Sequence, residues 1–311
     1  MNYTIVMFSI ERIPDSEGST IKLGVVDEGY TAPWPVMAEQ ANRVLNLTFN
    51  SNDVILAGYA KSGTHWVWEI LSMLMKGRAE PTQSTKEMLM FSFGTQEGFD
   101  QIPSPRIFNS HAPYNGMPYV LRPNVCKAKI IYLLRNPKDV CVSFYHHLRC
   151  AKDFDYHGSW NGFYSLFIQG KLPGGSWFDH IVGWQEAIES TTDSPILPVF
   201  YEDLKQNCSY QIKRMSEFLG FNYNNDLFEE ITEKCKLENM RANDQKLKEQ
   251  YPLHTSEDGN NFIFRKGIVG DWKNWFTVSQ NEEFDQITQK RLRGTNLKFL
   301  YSIDDKQNFQ N

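Results

Sequence analysis

With 311 residues, 41% of them hydrophobic and 22% charged, the chain has enough apolar material to bury a sizeable core and no compositional bias towards disorder. A formal net charge of -5 excludes a global attraction to nucleic acid or acidic membrane, so an anionic ligand must be held by a local cluster of cations. No apolar run reaches membrane-spanning length, and no basic leader precedes Glu11 and Arg12, so a soluble cytoplasmic protein is expected. Cys126, Cys141, Cys150, Cys208 and Cys235 are odd in number and lack C-x-x-C pairing, which suits free thiols in a reducing compartment and gives no metal site.

In chain order, residues 1–52 suggest a short leading strand pair around Ile21 to Val26, a Pro-rich turn at 32–35 and an amphipathic segment near 36–47. Asp53 then opens the most organised stretch. Val54 to Ala57 form an apolar run of strand length that stops at Gly58, the polar turn Lys61-Ser62-Gly63-Thr64 follows, and Trp66, Val67, Ile70, Leu71 and Leu74 recur at helical spacing up to Gly77. The first amides of a helix lack intrahelical partners and sit at its positive end, so a small-residue loop placed there attracts anions. Lys61 adds a full charge. Because this lysine precedes Ser-Gly-Thr, the loop is not of Walker type.

Residues 78–105 are rich in Pro, Ser, Thr, Gly and aromatics. A loop of that length suggests one wall of a substrate pocket, with Phe91 and Phe93 as lining candidates, or a surface loop whose aromatics fold into the core. A short strand at 106–110 ends in His111 and is broken at Pro113. Lys129 to Leu134 reads as a buried strand, with Asn136 as cap and Pro137 at the first position of a helix whose stripe is Val140, Phe144 and Leu148. Ser143 shares a face with Asp139, His146 and His147. Residues 151–176 suggest a lid. A helix follows over 177–190, then a strand at 196–201, then a helix ending at Gly220. Residues 241–263 show no periodicity and suggest a mobile segment. Alternating strands and helices predict an α/β fold, a central mainly parallel sheet flanked by helices on both faces in a single domain, with 53–301 as its core and 302–311 as a flexible tail.

Three stretches resemble the donor motifs of the cytosolic sulfotransferases. AKSGTHW, residues 60–66, resembles their 5′-phosphosulfate loop, usually PKSGTTW; RNPKDVCVS, residues 135–143, resembles the second motif; RKGIVGDWKN, residues 265–274, resembles the third. The resemblance implies transfer of a sulfonyl group from 3′-phosphoadenosine 5′-phosphosulfate (PAPS), leaving PAP, with no metal, to a small, lipophilic phenol, alcohol, sterol or amine. It implies His111 as general base, in a segment resembling K-x-H-x-P. It implies Lys61 at the bridging oxygen, Ser62, Gly63, Thr64 and His65 at the 5′-phosphate, and Trp66 and Tyr201 at adenine. Arg135, Ser143, Arg265, Lys266 and Gly267 fall at the 3′-phosphate, with Cys235 and Leu237 carried over from a weaker adenine segment. Ser143 is expected to hold Lys61 away from the donor until acceptor binds. KNWFTVSQNE resembles the family's dimer segment, implying a homodimer through Lys273, Thr277, Val278 and Glu282.

Three departures stand out. His65 replaces a threonine of the phosphate loop, with a ring nitrogen expected to donate to phosphate. Asn109 stands where the family commonly has a lysine, so one cation near the transferred group is missing. His147 stands where relatives often carry phenylalanine facing the acceptor. Two other readings stay open: a catalytically weak PAPS- or ligand-binding protein, motivated by Asn109 and His65, and an ATP-dependent phosphoryl transferase, which would need a Walker lysine and magnesium carboxylates.

Overall fold

Five apolar residues after Asp53 set the position of everything else. The computed structural model describes residues 8–26, 30–31, 41–118, 128–190, 195–250 and 263–303. The Pro-rich turn at 32–35, part of the segment near 36–47, Cys126 and the tail from 304 lie outside the described residues.

Two strands pair at the start, β1 (Phe8–Pro14) and β2 (Thr20–Val26), antiparallel, with the two-residue β3 (Tyr30–Thr31) beside β2. A short helix α1 (Ala41–Leu45) precedes β4 (Val54–Gly58), whose five residues are all buried. The helix α2 (Thr64–Lys76) follows it, closed by Gly77 in the left-handed conformation. After the five-residue α3 (Gln96–Asp100) come β5 (Ile107–Ser110), β6 (Lys129–Leu134) and α4 (Pro137–Cys150). The Asn136 side chain caps α4 by accepting from the Asp139 amide, and Pro137 opens it, where its missing N–H is not needed. Then come α5 (Trp160–Gln169), α6 (Trp177–Ser190), β7 (Ile196–Phe200), α7 (Tyr201–Gln206) and α8 (Cys208–Leu219). The last helices are α9 (Asn225–Lys234), α10 (Leu237–Gln250) and α11 (Val278–Arg291).

The order β5-β4-β6-β7 and three parallel pairings make the central sheet. Side chains alternate across it. Ile55, Ala57, Phe108, Ile130, Tyr132 and Leu134 face one core, shared with α4, α5 and α6, while Val54, Leu56, Ile107, Ile131 and Leu133 face a second, shared with α2, α8 and α9. Pro198, which has no N–H to give, sits in the edge strand β7. At the opposite end from the site, the buried pair Asp53 and Arg106, 2.6 Å apart, ties the start of β4 to that of β5. Chain direction decides where ligands can enter: the connection from β4 leads to β5 on one side and that from β6 to β7 on the other, which opens a crevice at the carboxyl ends between β4 and β6.

The fold corrects two expectations. Residues 151–176 are packed rather than lid-like: 160–169 form α5, and Phe154, Tyr156, Phe163, Phe167 and Leu172 are buried. Their aromatic content is mostly core, with Phe154 also on the cavity wall. Tyr156 also donates to Asp15, the residue that closes the β1–β2 turn by accepting from Glu17 and Ser19 amides. Residues 241–250, expected to be mobile, continue α10, whose Arg241 donates to the Phe264 carbonyl at 3.0 Å; 251–262 lie outside the described residues. No helix among the described residues is long and apolar enough to cross a membrane.

Candidate active site

The crevice holds a cavity of about 310 Å³. Its floor is the loop from β4 to α2. Lys61 is held at φ 70 and Gly63 at φ 103. A Cβ at Gly63 would lie 2.7 Å from the Tyr201 ring, so both space and backbone angle call for glycine there. No side chain caps α2, which leaves its first turn facing the cavity through Gly63 and Thr64. Ser62, which does not line the cavity, is 1% exposed, and its hydroxyl has no hydrogen-bond partner among the described residues.

Arg135 follows β6 and bridges the crevice. Its Nη1 donates to the Lys61 carbonyl at 3.0 Å, and its guanidinium lies 4.2 Å from the centre of the Tyr201 ring. The backbone around Arg135 is fixed by Glu202, whose Oε1 accepts from the Asn136 amide at 2.9 Å, so the glutamate after Tyr201 is structural. The 265–274 stretch closes the opposite side. Asp139, in the first turn of α4, accepts from the Gly270 and Trp272 amides at 2.8 and 3.0 Å and fixes that turn. Arg265 and Lys266 both reach Asp271, at 2.5 and 2.7 Å. Burial raises the Asp271 carboxyl, but hydrogen bonds from Lys266, Asn274 and Arg265 overcome it and hold the group at about 2. Nε of Arg135 and Nε of Arg265 are buried without a hydrogen-bond partner among the described residues.

His111, just past β5, is 8% exposed. Its Nδ1 lies 2.8 Å from the Gly58 carbonyl, which can only accept, so Nδ1 carries the proton and Nε2 offers a lone pair. Burial, then the nearby Lys86 charge, pushes its pKa well below 6.5, so it is a neutral base at pH 7. Lys61 is lowered to about 7, first by burial and then by Arg135, Lys86 and Arg265.

Of the residues singled out from sequence, the cavity brings together His111, Lys61, Gly63, Thr64, His65, Trp66, Arg135, Ser143, His147, Tyr201, Cys235, Leu237, Arg265, Lys266 and Gly267. Others stand differently. Phe91 packs on Phe49 and Phe108 at 5.1 and 5.8 Å with no exposed surface, and Phe93 is 45% exposed; neither lines the cavity. The Phe91 amide bonds to the Asn109 carbonyl in extended pairing, so its neighbour Met90 faces the cavity instead. His65 Nε2, expected to meet phosphate, is 3.1 Å from Glu87 Oε1. Lys61 Nζ meets His147 Nδ1 at 3.3 Å, where Ser143 was the expected partner. His146 turns away to stack edge-on against Trp275.

Sequence reasoning missed Lys86, Glu87, Met90, Phe154 and Pro173, all in the wall. They come from aperiodic loops, where no local pattern says which side chain turns inward.

Known proteins are similar to this chain over most of its length. The family described as Sulfotransferase domain matches residues 51–296. Sulfotransferase 1C2 of Rattus norvegicus is 35% identical over 262 residues, covering 81% of this chain and 87% of its own. Sulfotransferase 6B1 of Mus musculus is 34% identical over 292 residues, 92% of either chain. Among solved structures, mouse sulfotransferase SULT7A1 complexed with PAP superposes with a TM-score of 0.68 at 28% identity, over 86% of this chain and 93% of that one. The matched region contains both crevice loops, the strand that ends at His111 and the 265–274 turn, and on that ground the chain belongs to the sulfotransferase family.

Proposed function

We propose that this sulfotransferase takes PAPS as donor and passes the sulfonyl group to a hydroxyl or amine of a small, lipophilic acceptor. The observation that carries the reading is a pair of buried donors without a partner among the described residues, Arg135 Nε and Arg265 Nε, on residues that line the same crevice as Lys61 and a neutral His111. Buried polar hydrogens without partners fit an anion with several phosphate oxygens.

Each residue then has a task. Lys61 and the loop through Ser62, Gly63 and Thr64 hold the 5′-phosphate, aided by the first turn of α2. Arg135, Ser143, Arg265, Lys266 and the Gly267 backbone hold the 3′-phosphate, Arg265 and Lys266 being shared with Asp271. Trp66 supplies a stacking face for adenine, worth roughly 1–3 kcal/mol, and Tyr201, which meets Trp66 edge-on at 5.5 Å, supports it with Cys235 and Leu237 alongside. His65, tied to Glu87, shapes this wall from the acceptor side. PAPS supplies an activated sulfonyl group. His111 Nε2 takes the acceptor proton as the acceptor atom bonds to sulfur; the bond from sulfur to the 5′-phosphate oxygen breaks, and its electron pair leaves with PAP. Met90, Phe144, Phe154 and Pro173 give the acceptor an apolar wall, which His147 and Glu87 make partly polar.

A calorimetric titration tests the donor assignment. PAP is expected to bind at least about a hundredfold more tightly than AMP, which lacks the 3′-phosphate and its charge-assisted hydrogen bonds. Equal affinities, or a preference for ATP with magnesium, would overturn it and favour the phosphoryl-transfer reading.

The homodimer belongs to the same reading. Lys273, Thr277, Val278 and Glu282 are all exposed, Val278 at 77%, on the turn before α11 and its first turns. Such an exposed valine is expected to be covered by the same segment of a second copy. Sedimentation should show a dimer that Val278→Asp converts to monomer; a monomeric wild type refutes this. A cytoplasmic location accords with the free thiols of Cys141, Cys150, Cys208 and Cys235.

A further inference from the structure

Lys86, a cation of the cavity wall, belongs to none of the three motifs. Lys86 begins the 3-10 turn Lys86–Leu89, between α2 and β5, and is 2% exposed. Its Nζ donates to Asn109 Oδ1 at 2.8 Å, and Asn109 Nδ2 donates back to the Lys86 carbonyl at 2.7 Å. This reciprocal pair fixes a buried ammonium group beside β5, two residues before His111. The neighbouring carboxylate, Glu87, acts on Lys86 through its charge while its Oε1 meets His65 Nε2, and no ion pair to Lys86 within 4 Å is found among the described residues. An ammonium has three donors, and removing it from water is costly unless other groups replace that water. One amide oxygen replaces a single hydration partner. The remaining donors belong to a side chain that lines the same cavity as His111 and Lys61, and its field is felt at both.

We propose that Lys86 is a catalytic residue whose ammonium group contacts the oxygens of the sulfonyl group during transfer, with Asn109 as its positioning residue. The assignment rests on the donor reading above. As sulfur passes from the phosphate oxygen to the acceptor, negative charge is carried by the sulfonyl oxygens as well as by the departing phosphate. Lys61 serves the phosphate side, and Lys86 serves the sulfonyl side. The cation that Asn109 lacks therefore reaches the site from the 86–89 turn, 2.8 Å from Asn109 Oδ1 and 23 residues away in sequence.

The test begins with a binding comparison that needs no acceptor. PAPS and PAP differ by the sulfonyl group, so Lys86→Met is expected to lower PAPS affinity about tenfold while PAP affinity stays within about threefold of wild type. With 2-naphthol, or whichever uncharged acceptor wild type turns over, kcat is expected to fall by about 10²–10³-fold. Moving the charge, in the double variant Lys86→Met with Asn109→Lys, is expected to restore kcat to within about tenfold of wild type. Should K86M fail to bind PAP, Asn109→Ser carries the test, with kcat lowered and PAP affinity kept. Several results would overturn the proposal: K86M or N109S with wild-type kcat, an unchanged PAPS-to-PAP affinity ratio, or a double variant no better than K86M. A rise in KM confined to carboxylated acceptors, with kcat unchanged, would also overturn it, assigning Lys86 to acceptor recognition. If wild type neither binds PAPS nor transfers from it, the donor reading itself fails. The Lys86 assignment fails alone when wild type works and K86M matches it.

Discussion

Alanine in place of His111 is expected to lower kcat by about 10²–10⁴-fold and to leave PAP affinity nearly unchanged. The reason lies in the protonation of the ring. Gly58 accepts from Nδ1, so the tautomer that would be useless as a base is excluded, and burial keeps the ring neutral at pH 7. The position is held from behind as well: Trp184 Nε1 donates to the Ala112 carbonyl at 3.2 Å, fixing the backbone next to the base. Two readouts separate catalysis from collapse. PAP binding should persist in His111→Ala, and wild-type kcat/KM should keep its acid limb below the usual histidine range, since the folded pKa is depressed and the base stays unprotonated to lower pH. An alanine variant with wild-type kcat would remove His111 from the mechanism.

The second large effect is at Lys61. Lys61→Met is expected to reduce kcat by about 10²–10³-fold, because the group proposed to meet charge on the departing phosphate is gone. Its titration gives a further signature. With its pKa lowered to about 7, Lys61 is charged below that pH and loses its proton above it. Donor binds the charged form, so kcat/KM for PAPS should decline as pH rises through about 7. A bound polyphosphate anion favours the ammonium and raises its pKa, so kcat should stay level to higher pH. The methionine variant should lack the basic limb in kcat/KM. His147, whose Nδ1 is 3.3 Å from Lys61 Nζ, stands one helical turn beyond Ser143. A kcat/KM profile that is flat from pH 6 to 9 would contradict the assignment.

The features legible from sequence were those that local chemistry dictates. Val54 to Gly58 is a strand because five consecutive apolar residues must be buried on both faces, and Gly63 is needed where the chain turns against Tyr201. Asn136 and Pro137 opened α4 as their side chains require. Helices α9 and α10 were harder. Phe228 and Ile231 are the buried residues of α9, and α10 is largely polar, so their helicity rests on caps and tertiary contacts such as Arg241 with the Phe264 carbonyl. The 151–176 stretch carried aromatics, and an aromatic without helical periodicity reads equally as core or as pocket. Here Phe163 and Phe167 are core, while Phe154 is buried against the cavity. Lys86 was beyond reach for another reason. The amide that holds it is 23 residues away, and hydrogen bonds between loops have no sequence period. The same holds for the Lys61 contact with His147, which spans 86 residues, and for Glu87 with His65.

The most direct test of the account is transfer itself. The wild-type chain and His111→Ala, both shown to bind PAP, would be incubated with sulfur-labelled PAPS and a panel of phenols, aliphatic alcohols, sterols and amines, with and without a metal chelator. The account predicts labelled acceptor and PAP in equal amounts from wild type, no effect of the chelator, and loss of the label from acceptor in the variant. Tight binding of PAPS without transfer to any member of the panel would contradict the enzymatic reading and leave a ligand-binding protein in its place.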